Sequence, residues 1–484
     1  MDNINNKKIF SSFFWRFAER CGAQGVAFIV SIILARILTP EDYGTIALVT
    51  VFTTILNVFV DSGMGNALIQ KKNADDLDFS TVFYFNIIVC ILLYLSIFII
   101  SPVIASFYKR PDLTAVIRVL SLTLIVSGIK NVQQAYVSRN MLFQRFFFAT
   151  LSGTVGAAIV GITMANLGFG VWALVGQQLF NIVIDTTILW FTVKWYPKRV
   201  FSLKRLRGLF QFGWKILISS FINTIYENLR TLIIGKVYSS SDLAYYNQGN
   251  KFPYVIVVNI NSSIDSVLLP TMSAEQEHKE KVKNMTRKAI KISTYLMAPA
   301  MMGLVAISVP MVTLVLTDKW LPCIPFLRVF CITYMFYPIH TANLNAINAL
   351  GRSDLFLKLE IVKKVIGIIA LFSTIWISVK AMAYSLLIVS FLSQIVNSWP
   401  NKYLLNYSYF EQLKDILPSI SLALVMSVGI YPISFLHLPS IVIIMIQMIL
   451  GVSIYIGGSK ILKLDSFQYL WKIIKSMFVK RGSV

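Results

Sequence analysis

The sequence has few charged residues and few histidines. Only 14% of its 484 residues are Asp, Glu, Lys or Arg, and 3 are His, whereas a soluble domain carries about 25% charged residues. Hydrophobic residues make up 56% and are arranged in repeated long apolar runs. This composition excludes a soluble globular protein and indicates a polytopic membrane protein.

Motifs for catalysis and metal binding are also missing. There is no GKS or GKT phosphate loop, no G-x-S-x-G motif and no histidine pair at metal-binding spacing. Asp76-Leu-Asp78 resembles the DxD motif of metal-dependent sugar transferases, but no nucleotide-binding domain surrounds it. We therefore expect no catalytic residue, no metal and no other cofactor, and interpret the chain as a transporter, not an enzyme.

Cysteine is scarce as well. The four cysteines are Cys21, Cys90, Cys323 and Cys331, and no two have the spacing of a zinc or haem site. They are predicted to be buried as small hydrophobic residues. No small-residue cleavage pattern follows the first apolar run, so we expect no cleavable signal peptide.

Acidic residues are half as numerous as basic ones, which gives a net charge of +22. A basic protein can bind nucleic acid, but the positive-inside rule offers another explanation. Most Lys and Arg fall in alternate loops, above all in the loop Lys194–Arg207, which has six basic residues and no acidic one. We expect no nucleic-acid partner, and we expect both termini and this loop to be cytoplasmic.

Apolar runs predict about fourteen transmembrane helices. The first ends near residue 38. The others are predicted near 44–64, 80–102, 114–136, 146–166, 170–193, 212–236, 247–269, 290–316, 323–347, 359–378, 381–399, 416–435 and 440–459. Residues 461–484 have aromatic and aliphatic residues at helical spacing with Lys and Arg between them, which predicts a basic amphipathic helix on the membrane surface.

An internal repeat organises these spans. Arg36–Asp42 returns as Lys236–Asp242, and Arg118-Val-Leu-Ser-Leu-Thr returns as Arg328-Val-Phe-Cys-Ile-Thr, each about 200 residues later. A repeat of six spans inserts both copies in the same orientation, related by an axis along the membrane normal. The fold class predicted is all-α, with two pseudo-symmetric six-helix lobes and two further C-terminal helices.

This repeat also sets the expected domain boundaries. They are an N-terminal lobe at 1–193, a basic linker at 194–211, a C-terminal lobe at 212–400, two additional spans at 401–460 and the amphipathic tail at 461–484. A cleft between two such lobes would allow alternating access.

Charged residues inside the spans are the candidate functional residues, because they are costly in hydrocarbon. The candidates for binding an anionic substrate are Arg16, Arg20, Arg118, Lys130, Lys215 and Arg230. The candidates for ion coupling or gating are Asp61, Asp185, Glu227 and Asp265. Each has a structural alternative, such as an interfacial position, mutual neutralisation or helix capping.

Several stretches resemble a known family. They are LARILTPEDYG, LAYYNQGNKFP, and the segment from LLPTMS through MGLVAISVPMVTLVLTDKWLPCIPFLRV to ALGRSDLFLKLEIV. Together they resemble the Wzx-type, colanic-acid-exporter-like branch of the multidrug/oligosaccharidyl-lipid/polysaccharide flippase superfamily. The resemblance covers residues 10–400 approximately.

This resemblance implies a flippase that moves an undecaprenyl-diphosphate-linked oligosaccharide across the bacterial inner membrane, for O-antigen, capsule or exopolysaccharide. The expected partners are that substrate, membrane lipids, and the polysaccharide polymerase and chain-length machinery. Relatives that flip the peptidoglycan precursor carry arginines where this chain has Gln24 and Val30, which argues against that substrate.

Two alternatives remain at this point. The first is a cation-coupled multidrug antiporter of the same superfamily, in which acidic residues would dominate the cavity. The second is a membrane-embedded polymerase or glycosyltransferase, which would need a large external loop or a cytoplasmic catalytic domain. The short loops between the predicted spans disfavour the second.

Overall fold

The computed structural model describes Trp15 and residues 22–61 and 64–481, and helices and loops account for these residues with no strand among them. In chain order the helices are α1 (Gly22–Ile37), α2 (Pro40–Asp61), α3 (Met64–Gln70), α4 (Asp76–Phe107), α5 (Leu113–Leu120), α6 (Leu122–Arg139), α7 (Phe143–Asn166), α8 (Val171–Thr192), α9 (Leu203–Val237), α10 (Ser240–Ala274), α11 (Lys279–Ala306), α12 (Ser308–Leu316), α13 (Ile324–Met335), α14 (Tyr337–Ala349), α15 (Ser353–Thr374), α16 (Val379–Leu404), α17 (Tyr409–Ile430), α18 (Ser440–Ile461) and α19 (Asp465–Arg481). Short 3₁₀ helices cover Asp318–Cys323 and Tyr431–Phe435.

The helical, multi-span architecture is confirmed. Within the described residues, 11 segments are long and apolar enough to cross a membrane, and each overlaps one predicted span. The first, seventh and eleventh predicted spans correspond to α1, α9 and α15, which are helical but outside that set. The total of fourteen spans therefore remains a prediction.

The chain divides into two compact units, Met1–Ala244 and Tyr245–Val484. This division falls inside α10, so the described first unit includes the basic loop and all of α9, which packs against α2, α3 and α4. The lobe boundaries expected from the sequence repeat remain a prediction.

An aromatic core surrounds Trp195 in the first unit. The ring of Trp195, in the basic loop, lies 5.7 Å from the ring of Phe79 on α4 and stacks on Tyr136 of α6 at 6.1 Å. Trp195 is buried together with Phe83, Leu189 and their neighbours. The basic loop is therefore anchored in the hydrophobic core through this side chain, while its charged residues stay at the surface.

The repeat seen in the sequence is matched by local structure. Before α2, the Thr39 hydroxyl donates to Asp42 (2.6 Å) and accepts from the Asp42 backbone N–H (3.2 Å). Before α10, Ser239 and Asp242 make the same two bonds at 2.6 and 3.0 Å. Both helices therefore begin with the same reciprocal cap, which satisfies N–H groups that a helix start leaves free.

The two helix starts also touch within the first unit. A Cβ atom added at Gly44 on α2 would lie 1.8 Å from the carbonyl oxygen of Ser240 at the start of α10. Only a residue without a side chain allows this close backbone approach.

In the second unit, the last two long helices pack on α11. The Ser427 hydroxyl of α17 donates to the Met302 carbonyl at 2.9 Å. The Tyr455 hydroxyl of α18 donates to the Tyr295 carbonyl at 2.9 Å, and the Tyr295 hydroxyl donates to Ser459 at 3.0 Å. Because these polar groups are buried in apolar helices, their hydrogen bonds tie α17 and α18 to this unit.

Candidate functional site

A buried ion pair brings together two of the predicted residues. Lys130 on α6 donates to the Oδ2 atom of Asp185 on α8, and their side chains are only 17% and 6% exposed. The backbone of α7 approaches closely, because a Cβ on Gly153 would lie 3.1 Å from the Asp185 Cβ. A predicted substrate-binding cation and a predicted coupling acid are thus in direct contact in the first unit.

This pair is not fully satisfied. The Oδ1 atom of Asp185 is buried and has no hydrogen-bond partner among the described residues, and the same holds for the hydroxyl of neighbouring Thr186. Most buried side-chain polar atoms have at least one hydrogen-bond partner. Asp185 therefore has one oxygen that can accept a hydrogen bond from a second donor.

Arg118 is held against α4 by several contacts. Its Nε donates to the Ser101 hydroxyl (3.0 Å) and to the Phe98 carbonyl (3.2 Å), and its guanidinium lies 4.0 Å from the Phe98 ring centre. Its repeat equivalent Arg328 donates to the Ser308 hydroxyl, also at 3.0 Å. These shared contacts fix α5 to α4 and α13 to α12, and the substrate role of Arg118 remains a prediction.

Three candidates lie along α9. Lys215 and Glu227 are exposed, and Arg230 is half-buried. The Glu227 carboxylate accepts from the Asn223 amide at 2.8 Å. Lys215 and Arg230 are fifteen positions apart in the sequence, about four helical turns, so they lie on the same side of this helix.

The remaining acidic candidates lie on α2 and α10. The exposed carboxylate of Asp265 accepts from the Asn345 amide at 2.6 Å, which joins α10 to α14 in the second unit. Asp61 is the last residue of α2, and its side chain is outside the described part of the chain. Arg16 and Arg20 also lie outside the described residues.

An amide network in the second unit was not predicted. The Asn343 amide of α14 donates to Gln412 of α17 (2.8 Å), and Asn401 of α16 donates to Asn343 at 2.6 Å. One turn earlier on α16, Asn397 hydrogen-bonds the ring of His340 at 2.9 Å. The four-residue spacing of Asn397 and Asn401 was the signal in the sequence, since it places both amides on one helix face.

The basic loop and the first turn of α9, which begins at Leu203 within the predicted loop, are bound to the start of α4. This attachment was not predicted from the sequence. Lys198 pairs with Asp76 at 2.6 Å, and Arg205 reaches Asp75 at 3.4 Å and Asp78 at 3.6 Å. The Asp78 carboxylate is fully buried and closes a reciprocal cap with Asp75. The backbone N–H of Asp78 and nearby basic groups hold the pKa of Asp75 below its ordinary value.

These ion pairs give the acidic residues of the DxD stretch a structural role. No cluster of three or more His, Cys, Asp or Glu side chains able to hold a metal occurs in the described part of the chain. The acids at the start of α4 stabilise the helix N-terminus and hold the basic loop through Lys198 and Arg205.

Comparisons with known proteins place this arrangement in a family. The profile described as "Polysaccharide biosynthesis protein" matches residues 33–325. The chain is 24% identical over 331 residues to the succinoglycan biosynthesis transport protein ExoT of Rhizobium meliloti (strain 1021), covering 68% of this chain and 67% of that protein. It is 23% identical over 425 residues to the lipopolysaccharide biosynthesis protein WzxC of Escherichia coli (strain K12), covering 87% and 83%.

The fold is also similar to a solved structure. The lipid II flippase MurJ in an inward closed conformation superimposes with a TM-score of 0.76 at 15% identity, covering 93% of this chain and 98% of that one. At this identity the likeness concerns the fold alone. The profile match covers more than half of the chain and agrees with the resemblance found in its motifs, and the chain therefore belongs to the polysaccharide biosynthesis protein family.

Proposed function

We propose that this protein is a flippase that carries a lipid-linked oligosaccharide repeat unit across the bacterial inner membrane for surface polysaccharide synthesis. The repeat unit is carried on undecaprenyl diphosphate, and transport proceeds by alternating access. Membership of the polysaccharide biosynthesis family and the transport function named for ExoT support this proposal.

The observation that supports the proposal most directly is the Lys130–Asp185 pair. A substrate diphosphate carries negative charge through an apolar membrane and needs a cation on its path. Lys130 can supply that cation if the diphosphate replaces Asp185 as its partner, because phosphate oxygens are strong acceptors for an ammonium group.

Asp185 then has the role of a coupling group. Its Oδ1 atom has no hydrogen-bond partner among the described residues, so a coupling cation that binds this oxygen would weaken the hold of Asp185 on Lys130. Substrate binding and cation binding would therefore favour the same rearrangement. Arg16, Arg20, Arg118, Lys215 and Arg230 are proposed as further cations for the substrate, and Asp61, Glu227 and Asp265 as further coupling or gating groups.

The topology proposed with this function has both termini in the cytoplasm. The basic loop would then lie on the side where lipid-linked repeat units are assembled. The polysaccharide polymerase and the chain-length machinery are proposed partners, since they consume the flipped product.

Deletion of the gene in its native host tests the proposal. Intact lipid-linked repeat units should accumulate on the cytoplasmic leaflet, and surface polysaccharide should be lost until the gene is restored. Normal surface polysaccharide together with increased sensitivity to cationic dyes would instead indicate a multidrug antiporter. Loss of repeat-unit assembly itself would indicate a transferase and contradict transport.

A further inference from the structure

A groove runs between α11 and α19 in the second unit. It encloses about 280 Å³ and is lined on one side by Asn284, Lys288 and Lys291, and on the other by Ser466 and Tyr469. The α11 residues are spaced by three and four positions, so they form one continuous face of that helix. A volume of this size accommodates a small polar group rather than a large ligand.

The groove contains one cation that no acid neutralises. The Lys288 ammonium lies 3.6 Å from the ring centre of Tyr469, and it has no carboxylate partner within the described chain. Lys291 is shared between Asp465 at 2.6 Å and Asp415 at 4.0 Å. An anion entering the groove would therefore meet one ammonium without a carboxylate partner, one shared ammonium, and the Arg287 guanidinium, which pairs with Asp415 at 2.7 Å.

Neutral donors complete the groove. Ser466 lines the groove and is only 5% exposed. It lies in the first turn of α19, a helix of 17 residues, where backbone N–H groups have no acceptor inside the helix. A hydroxyl, these N–H groups and two ammonium groups suit the three or four oxygens of a phosphate.

Asp465 currently supplies the negative charge at this position. Its side chain is 79% exposed and pairs with Lys291, so it can turn outward without leaving a buried charge. The carboxylate thus competes with an external anion for the same ammonium. Removing its charge should increase the affinity of the groove for an anion.

The composition of α19 indicates where such an anion comes from. Phe467 and Trp471 stack at 6.0 Å, and Trp471 is exposed. Lys472 and Lys475 are exposed further along the same helix. Aromatic rings beside basic residues are typical of helices that lie at the level of lipid headgroups.

We propose that the groove between α11 and α19 binds the phosphate of an anionic membrane lipid and so fixes α19 to the membrane surface. The proposal is independent of the transported substrate, because it uses none of the residues assigned to transport.

Native mass spectrometry of the full chain, purified with phosphatidylglycerol, tests this site. Lys288→Gln and Lys291→Gln should each lower the retained lipid about tenfold, the effect expected for one charge-assisted hydrogen bond. Asp465→Asn should raise it. Lys279→Gln removes the same charge from an exposed position of α11 outside the groove and should leave retention unchanged.

The lysine variants and Asp465→Asn should change lipid retention in opposite directions, so the measurement can contradict the proposal. Equal losses of retained lipid in Lys279→Gln and Lys288→Gln would overturn the proposal, because they would indicate that the lipid is attracted by the overall positive charge and not by the groove. Reduced retention in Asp465→Asn would also overturn it. Displacement of the lipid by inorganic phosphate at equal concentration would contradict a lipid source. Thermal unfolding of each variant, unchanged within about 2 °C, excludes misfolding as the cause of a loss.

Discussion

At the scale of single residues, substitutions of Lys130 and Asp185 can separate the effect of this ion pair on the stability of the protein from its effect on transport. In Asp185→Asn, the mostly buried ammonium of Lys130 loses its carboxylate, which typically costs about 3–5 kcal/mol. We expect a clearly lower unfolding temperature in detergent. Asp354→Asn removes an acid from an exposed pair with Arg352 and should lower the unfolding temperature far less, because solvent screens exposed ion pairs. Equal effects of the two substitutions would contradict the burial argument.

A double substitution tests the transport role of the same pair. Lys130→Met with Asp185→Leu replaces both charges by apolar groups, which should restore most of the stability. Surface polysaccharide should nevertheless remain absent in a complemented deletion strain, because the cation proposed for the diphosphate is gone. Normal polysaccharide in the double variant would show that Lys130 is not on the substrate path.

Both members of this pair were predicted from the sequence, but their contact was not. Each was recognisable as a charge inside an apolar run. Their partnership depends on which faces of α6 and α8 meet, and residues 55 positions apart carry no local signal of that. The same reason explains why the contact between His340 and Asn397 was not predicted.

At the scale of helices, the close approach of α2 and α10 at Gly44 gives a sharp prediction. A methyl group in Gly44→Ala would overlap the Ser240 carbonyl oxygen, so the two helix starts must separate. We expect destabilisation of about 1–3 kcal/mol or more, seen as a lower unfolding temperature. Gly25→Ala on α1 meets no atom within 4 Å and should be neutral or slightly stabilising. Similar destabilisation by both would contradict the packing explanation.

The attachment of the basic loop to α4 predicts a change in protease sensitivity. Asp78→Ala removes the buried carboxylate shared by Lys71 and Arg205, so the loop should open and trypsin should cleave after Lys198 or Arg199 faster than in the parent protein. Asp354→Asn serves as the control and should not change cleavage there. Unchanged cleavage in Asp78→Ala would show that the aromatic core alone holds the loop.

This attachment should also weaken in acid. The pKa of Asp75 is lowered in the folded protein, first by the Asp78 backbone N–H. Its contribution is therefore complete above its ordinary pKa of 3.8 and is lost as the pH falls below that value. Trypsin is inactive in strong acid, so hydrogen exchange of residues 194–207 is the suitable measurement.

At the scale of the whole molecule, the positive-inside rule predicts the orientation. In a cysteine-free background, a cysteine at Arg199 should react with a membrane-impermeant maleimide only after the cells are permeabilised. A cysteine at Lys109, in an exposed turn expected on the other side, should react in intact cells. The reverse pattern would invert the proposed topology.

The general architecture was predictable from the sequence because membrane spans depend mainly on composition. Eleven spans were predicted from apolar runs. The repeated motif around Thr39 and Ser239 was also recognised, but the caps that these two residues form were not predicted. The helices α9 and α15 are outside this set because charged residues interrupt them, and their membrane crossing remains a prediction. The groove beside Ser466 left no sequence signal, since it depends on how α19 turns back onto α11.

The ion pairs between the basic loop and α4 have a consequence for biosynthesis. Arg205 and Lys198 leave the ribosome more than a hundred residues after Asp75 and Asp76. Until then the acidic helix start lacks two of its counter-ions, and the first unit is incomplete. A nascent chain arrested before residue 198 should be a better target for membrane proteases than one arrested after residue 207.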